Sequence, residues 1–168
     1  QTSTPVAPSN VNPATDGTVV AGASGGTVTY RNSAATRRLK LVPALESILQ
    51  SAANSAGLDV VIFSGGQDET TGTVGSHRHD DGYAADIWLY KNGSRLSMVN
   101  NVAEASDFAA AAKSAGALSI GAGSGYMGGV GMHVDISPGN TVALASAKYW
   151  GSGGRAANAP SWLRGIMA

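Results

Sequence analysis

The sequence predicts an α+β fold with a mostly antiparallel sheet, and three observations lead there. Residues 43 to 56 carry apolar residues at helical spacing, and residues 103 to 115 make a second helix of small residues around Phe108. The stretches 58 to 63, 83 to 90 and 132 to 136 are β-branched, aromatic or alternating, as strands are. The Asn92-Gly93 pair between two such runs is a strong hairpin turn. Read in order, these elements run helix, strand, strand pair, helix, strand, which suits an antiparallel sheet with helices packed on it.

Each element has its own local reason. Residues 18 to 20 and 27 to 30 are two short β-prone runs, separated by the turn formers Gly22, Ser24, Gly25 and Gly26. Pro43 suits the first turn of a helix in which Leu45, Ile48, Leu49, Ala52 and Ala53 share a face up to Gly57. The run LDVVIF at 58 to 63 is nearly continuous in apolar character, the mark of a strand buried on both sides, and SGG ends it. A long polar loop reaches about Gly82, then YAADIWLY forms a strand and the turn leads into a partner strand at 95 to 98. Gly116 stops the second helix, and the Gly-rich segment 116 to 131 is expected to be a flexible flank before the last strand.

Length and composition exclude several classes of function. A chain of 168 residues with 43% hydrophobic and 13% charged residues is one globular domain with a real core, too short for two. Eleven Lys plus Arg balance eleven Asp plus Glu, so nothing favours nucleic acid or an anionic membrane surface. The longest apolar stretch falls far short of the roughly 20 residues of a membrane span. With no Cys, disulfides, thiolate nucleophiles and thiolate metal sites are excluded, and any metal must sit on His and carboxylates. Residues 1 to 17 have the composition of a linker or extended arm, and residues 1 to 35 are set apart from a main domain at 36 to 168. Because the chain begins at Gln1, it is expected to be a processed product or a domain of a longer parent chain. No period of 20 to 50 residues repeats, so a solenoid or propeller is not supported.

The chemistry is concentrated in two short segments that hold all three histidines. In MHVDI, Met132, Val134 and Ile136 point to one face and His133 and Asp135 to the other. In YAADIWLY, Ile87 and Leu89 lie opposite Asp86, while Ala84 on its own face leaves room beside the carboxylate. His79 lies seven residues before Asp86 with Gly82 between, so the chain can turn and bring both side chains to one point. An aspartate facing open space near histidines invites a metal.

The residues HDDGYAAD at 79 to 86, preceded by SGG at 64 to 66 and followed by HVD at 133 to 135, resemble a known family. It is that of the zinc D-alanyl-D-alanine carboxypeptidases and L-alanyl-D-glutamate endopeptidases, which act on bacterial cell-wall peptides and share their fold with the Hedgehog signalling domain. The pattern matches at His79, Gly82, Ala84 and Asp86, and YW at 149 and 150 looks like the Trp found after HVD in the phage-type branch; the likeness spans about residues 36 to 150. The resemblance implies a Hedgehog-like fold and a Zn2+ ion on His79, Asp86 and His133. It also implies a peptidoglycan stem peptide or cross-bridge as substrate, cut as an endopeptidase or as a DD-carboxypeptidase. The implied setting is extracellular, periplasmic or virion-associated: a phage lysin, a phage structural protein that opens the wall, or a secreted bacterial enzyme.

Two departures from the family shape the expected roles. Many relatives place their catalytic Glu three residues before the second zinc His, where this chain has Val130. Glu46 and Glu104 fall on helices and Glu69 in a loop, so Asp135 is the expected catalytic base, with a part in orienting His133 as its alternative. Many relatives also carry an Arg where this chain has Gln67. Gln67 and the charged Arg78 are therefore expected to bind substrate, with His77 either a transition-state donor or an exposed loop residue. The glycines at 116 to 131 lack the Lys and following helix of a phosphate loop, and Trp88, Trp150 and Trp162 read most simply as packing. The competing function is a binding module of the same fold that keeps its zinc and recognises a wall peptide or protein without cutting. A third is a structural virion domain docked through the arm.

Overall fold

A computed structural model describes residues 19–20, 26–31, 37–68, 70, 75–136 and 148–168. The expected arm over residues 1 to 17, the turn formers Gly22, Ser24 and Gly25, the 35/36 boundary and Glu69 lie outside them. The strands are β1 (Val19–Val20), β2 (Val28–Tyr30), β3 (Asp59–Ser64), β4 (Ala84–Lys91), β5 (Ser94–Arg95), β6 (Ser119–Gly121), β7 (Gly131–Asp135) and β8 (Tyr149–Trp150). The helices are α1 (Pro43–Ala56), α2 (Val102–Ala115) and α3 (Ser161–Met167). The strands form one mixed sheet in the order β1-β2-β3-β4-β7-β6-β8, with β5 paired to the far end of β4. The β2–β3 and β6–β8 pairs are parallel and the others antiparallel, so the α+β reading with a mostly antiparallel sheet holds.

The helices cover one face of this sheet. Leu45, Leu49 and Ala53 of α1, Phe108 and Ala112 of α2 and Leu163 of α3 join Val60, Ile62, Ile87, Leu89, Met132 and Val134 in one buried cluster. Alternation therefore sends Phe63, Asp86, Trp88, His133 and Asp135 to the other face. Among the described residues no helix is long and apolar enough to cross a membrane.

Four expectations need correction. First, β3 is fully buried on one face only: Val60, Ile62 and Ser64 are buried while Asp59, Val61 and Phe63 are half-buried, because among the described residues no helix covers their side. Second, the strand expected at 95 to 98 ends at Arg95. Ser97 turns the chain by accepting from the backbone N–H groups of Val99 and Asn100 at 3.1 and 3.2 Å. Third, the segment read as a flexible flank contains β6, whose three residues are all buried. Gly121 is there for room: a Cβ would lie 2.2 Å from the indole nitrogen of Trp150. Fourth, β8 and α3 were not anticipated, each being too short for periodicity to reveal.

A phenol and an amide tie the N-terminal edge to α1: Gln50 Nε2 donates to the Gly26 carbonyl at 2.7 Å, and Tyr30 makes the second link. The Tyr30 hydroxyl donates to the Glu46 carboxylate and accepts from the Leu41 N–H at 3.0 Å. Burial pushes that hydroxyl up in pKa, with Glu46 adding to the shift, so it stays a donor. Tyr30→Phe keeps the ring but strands the buried Leu41 N–H, and urea unfolding is expected to show a loss of about 1–3 kcal/mol.

Candidate metal centre

Sheet register builds the first half of the site. Asp86 on β4 and His133 on β7 are direct antiparallel partners, so their side chains emerge side by side on the helix-free face. Ala84 and Asp135 are the next pair on that face, and the small Ala84 leaves the space beside them. This cross-strand pairing follows from alternation plus register, and only the alternation was readable in the sequence.

His79 arrives from outside the sheet, on the short turn His77–His79. Two glycines allow the approach. A Cβ on Gly66 would lie 2.7 Å from the Cα of Gly82, and one on Gly82, whose φ is +84°, would lie 2.4 Å from the Lys40 carbonyl oxygen. The turn is then clamped by Gln67. Its backbone N–H donates to the His79 carbonyl at 2.9 Å, and its side-chain amide donates to Ser76 O at 2.9 Å and to Asp80 Oδ1 at 2.8 Å. Gln67 is thus buried and engaged with the loop that carries His79, a placement different from the substrate contact expected of it.

The donor atoms converge. One ligand atom each from His79, Asp86 and His133 lies within 4.8 Å of the others, and all three residues are buried. His79 Nδ1 stands 2.8 Å from the carbonyl oxygen of Gly65. A carbonyl can only accept, so Nδ1 carries the proton. Burial lowers the pKa of His79, outweighing the attraction of Asp86, so the ring is neutral and its Nε2 is unprotonated. That bare nitrogen stands 3.4 Å from Asp86 Oδ1. Two electron-pair donors thus face each other in a buried space, an arrangement that a cation satisfies. His133 Nδ1 completes the set at 2.8 Å from the same carboxylate oxygen.

The surrounding charges lock the set in place. Burial favours protonation of Asp86, but the His133 imidazole beside it prevails and holds its carboxyl well below the usual range. Its other oxygen receives the Arg37 guanidinium at 3.2 Å. His133 also reaches Asp135 through Nε2, at 2.9 Å, and Arg78 donates to that same Asp135 oxygen at 2.7 Å and to Ser119 Oγ at 3.0 Å. Burial lowers the His133 pKa, yet the carboxylates on its two edges raise it overall. Asp135 is fully buried; burial raises its pKa, but His133 and Arg78 bring it below the usual range.

Five of the seven residues singled out in the sequence meet here: His79, Asp86, His133, Asp135 and Arg78. Asp135 sits across the imidazole from Asp86, not beside it on the metal side where a base was expected. Arg78 reaches Asp135 and is buried, where a substrate contact was expected. His77 points outward, with Nδ1 2.8 Å from Asp80, and does not join the donor set. Trp150, read as packing, walls the site: its ring lies 5.0 Å from that of His133, and the Arg78 guanidinium stacks on it at 4.4 Å. Arg37 and Ser119 were missed, because only chain pairing brings them near; the sole hint for Arg37 was the glycine pair that lets residues 37 to 39 run beside it. No family model, curated protein or solved structure matches the chain.

The arrangement makes a direct prediction. Elemental analysis after loading with a divalent metal is expected to give about one equivalent per chain. His79→Ala and His133→Ala are each expected to lose it, and stoichiometric metal surviving in both would exclude this centre.

Proposed function

We propose that the chain is a zinc-dependent peptidoglycan peptidase of the D-alanyl-D-alanine carboxypeptidase and L-alanyl-D-glutamate endopeptidase type, built on the Hedgehog-like version of its α+β architecture. The observation that carries this reading is the convergence of one ligand atom each from His79, Asp86 and His133 within 4.8 Å in a buried space. Support also comes from the motif residues His79, Gly82, Ala84, Asp86 and His133, which match the family pattern one by one. Two imidazoles and one carboxylate are a donor set that suits Zn2+ with one position left open. When bound, such an ion supplies Lewis acidity toward a peptide carbonyl and draws the pKa of a water toward about 7.

The chain's own residues have separable tasks under this reading. His79 is held in one tautomer by the Gly65 carbonyl, with Nε2 toward the site. Asp135, backed by Arg78, keeps the Nε2 proton of His133 in place and so directs Nδ1 to the ion. The geometry thus favours an orienting role for Asp135 over that of a base. Arg37 offsets the charge of Asp86 on the oxygen turned away from His133. The substrate is a stem peptide or cross-bridge of the bacterial wall, and the setting is a lysin, a virion wall-opening protein or a secreted enzyme.

A second reading is a zinc-holding module of the same fold that binds a wall peptide or a protein without cutting. Val130 occupies the position where many relatives carry the catalytic Glu, and the Asp135 carboxylate is engaged by Arg78 and His133, which favours it. Digestion of purified peptidoglycan followed by mass spectrometry separates the two. New termini at one kind of amide bond, lost with His133→Ala, are expected; intact material after prolonged incubation with the zinc-loaded protein would establish the binding module.

The role of Asp135 is read from one variant. Asp135→Asn is expected to lower zinc affinity by roughly 10- to 100-fold, because the amide no longer fixes the imidazole. Unchanged zinc affinity with turnover down by about 100-fold would instead mark Asp135 as the base.

A further inference from the structure

The helix-free face does not end at the metal centre. Trp88 lies two residues beyond Asp86 on β4, about 7 Å along the strand and on the same face. Its indole stacks on the Phe63 ring from β3, with centroids 4.5 Å apart and planes at 20°. Two guanidiniums stand over that indole. Arg31, just past the end of β2, places its Cζ 5.6 Å from the ring centroid, and Arg95 of β5 places its own at 5.1 Å. They come from opposite sides of β4, since β3 pairs with one edge of Tyr90 and β5 with the other.

Nothing in the general charge of the chain explains this pairing of cations. Acids and bases balance over the whole sequence. Among the described residues no carboxylate pairs with Arg31 or Arg95, whereas Arg37 and Arg78 on the same face each meet an aspartate. Both side chains are exposed and converge on one indole, so an anion laid against that indole is attracted by both and can accept hydrogen bonds from a guanidinium.

We propose that Arg31, Arg95 and the Trp88–Phe63 stack form a substrate subsite that takes a free carboxylate of the peptide, with its aliphatic part lying on the aromatic pair. This rests on the peptidase reading, which makes the ligand a wall peptide. The placement suits it: the aromatic pair lies on the same face of the sheet as the metal centre, with Trp88 about 7 Å along β4 from Asp86, so one extended peptide can reach both. Selection would then favour substrates that keep a free carboxylate over amidated ones.

The test uses a probe without the alanyl bond, so that it reads binding and not cleavage. N-acetyl-γ-D-glutamyl-L-lysine and its α-carboxamide counterpart are titrated into the 15N-labelled protein, with the Trp88 indole signal assigned through Trp88→Phe. The free acid is expected to shift that signal and to bind at least about tenfold more tightly than the amide. The double variant Arg31→Gln, Arg95→Gln is expected to lose that preference while holding zinc as before. No shift at Trp88 with the free acid, equal binding of acid and amide, or a preference that survives in the double variant would each overturn the subsite. Because the probe reports on binding alone, these outcomes stand apart from digestion of peptidoglycan, which decides the peptidase reading.

Discussion

The imidazole of His133 lies between two buried carboxylates, Asp86 at 2.8 Å on one edge and Asp135 at 2.9 Å on the other, and each carboxylate is met from outside by an arginine. Burying two carboxylates without partners would cost several kcal/mol for each. Here the cost is offset by a continuous line of partners, with the His133 imidazole bridging Asp86 and Asp135 and an arginine, Arg37 or Arg78, at each end. Every other part of the site is arranged around this line. It joins the segment before α1, strands β4 and β7 and the turn that carries His79, so elements far apart in sequence are committed to one relative placement.

That line can exist because, among the described residues, helices cover the sheet on one side only. The helices take the apolar face, with Leu45, Phe108 and Leu163 packed on Ile62, Ile87 and Met132. The opposite face is left to polar and aromatic side chains. Its centre is roofed by the turn at 77 to 79 and walled by Trp150, which buries His79, Asp86 and His133 without a second layer of helices. Its outer part stays half-open around Phe63 and Trp88. One layer thus supplies stability and the other supplies a graded surface, running from a dry charged centre to an aromatic shelf.

The glycines of this region act as spacers as much as turns. Gly66 and Gly82 let two backbones pass at distances that a side chain would forbid, and the hydrogen bond from the Val42 N–H to the Gly82 carbonyl, at 3.0 Å, closes the contact. Gly121 does the same for the Trp150 indole, which occupies the place where a side chain of β6 would stand. A Gly-rich stretch reads as a loop when only backbone freedom is considered. Where large neighbours need the space, as at Gly121, it is a strand.

Much of this was legible in the sequence. Helical spacing placed α1 and α2, alternation placed β4 and β7, and the faces of Asp86, His133 and Asp135 followed from the two-residue period of a strand. The absence of Cys confined any metal to His and carboxylates, and the choice of His79, Asp86 and His133 among them came from the motif that resembles the peptidase family. Tertiary structure alone decided what each polar group does. Asp135 faces the far edge of the His133 ring, Arg78 turns to Asp135, Gln67 turns inward to hold the loop, and Arg37 enters from a segment that carries no signal. The physical reason is range. Periodicity reports which face a residue occupies relative to its own neighbours, whereas the partner of a buried charge is chosen by the pairing of distant strands, and that pairing is a property of the whole fold.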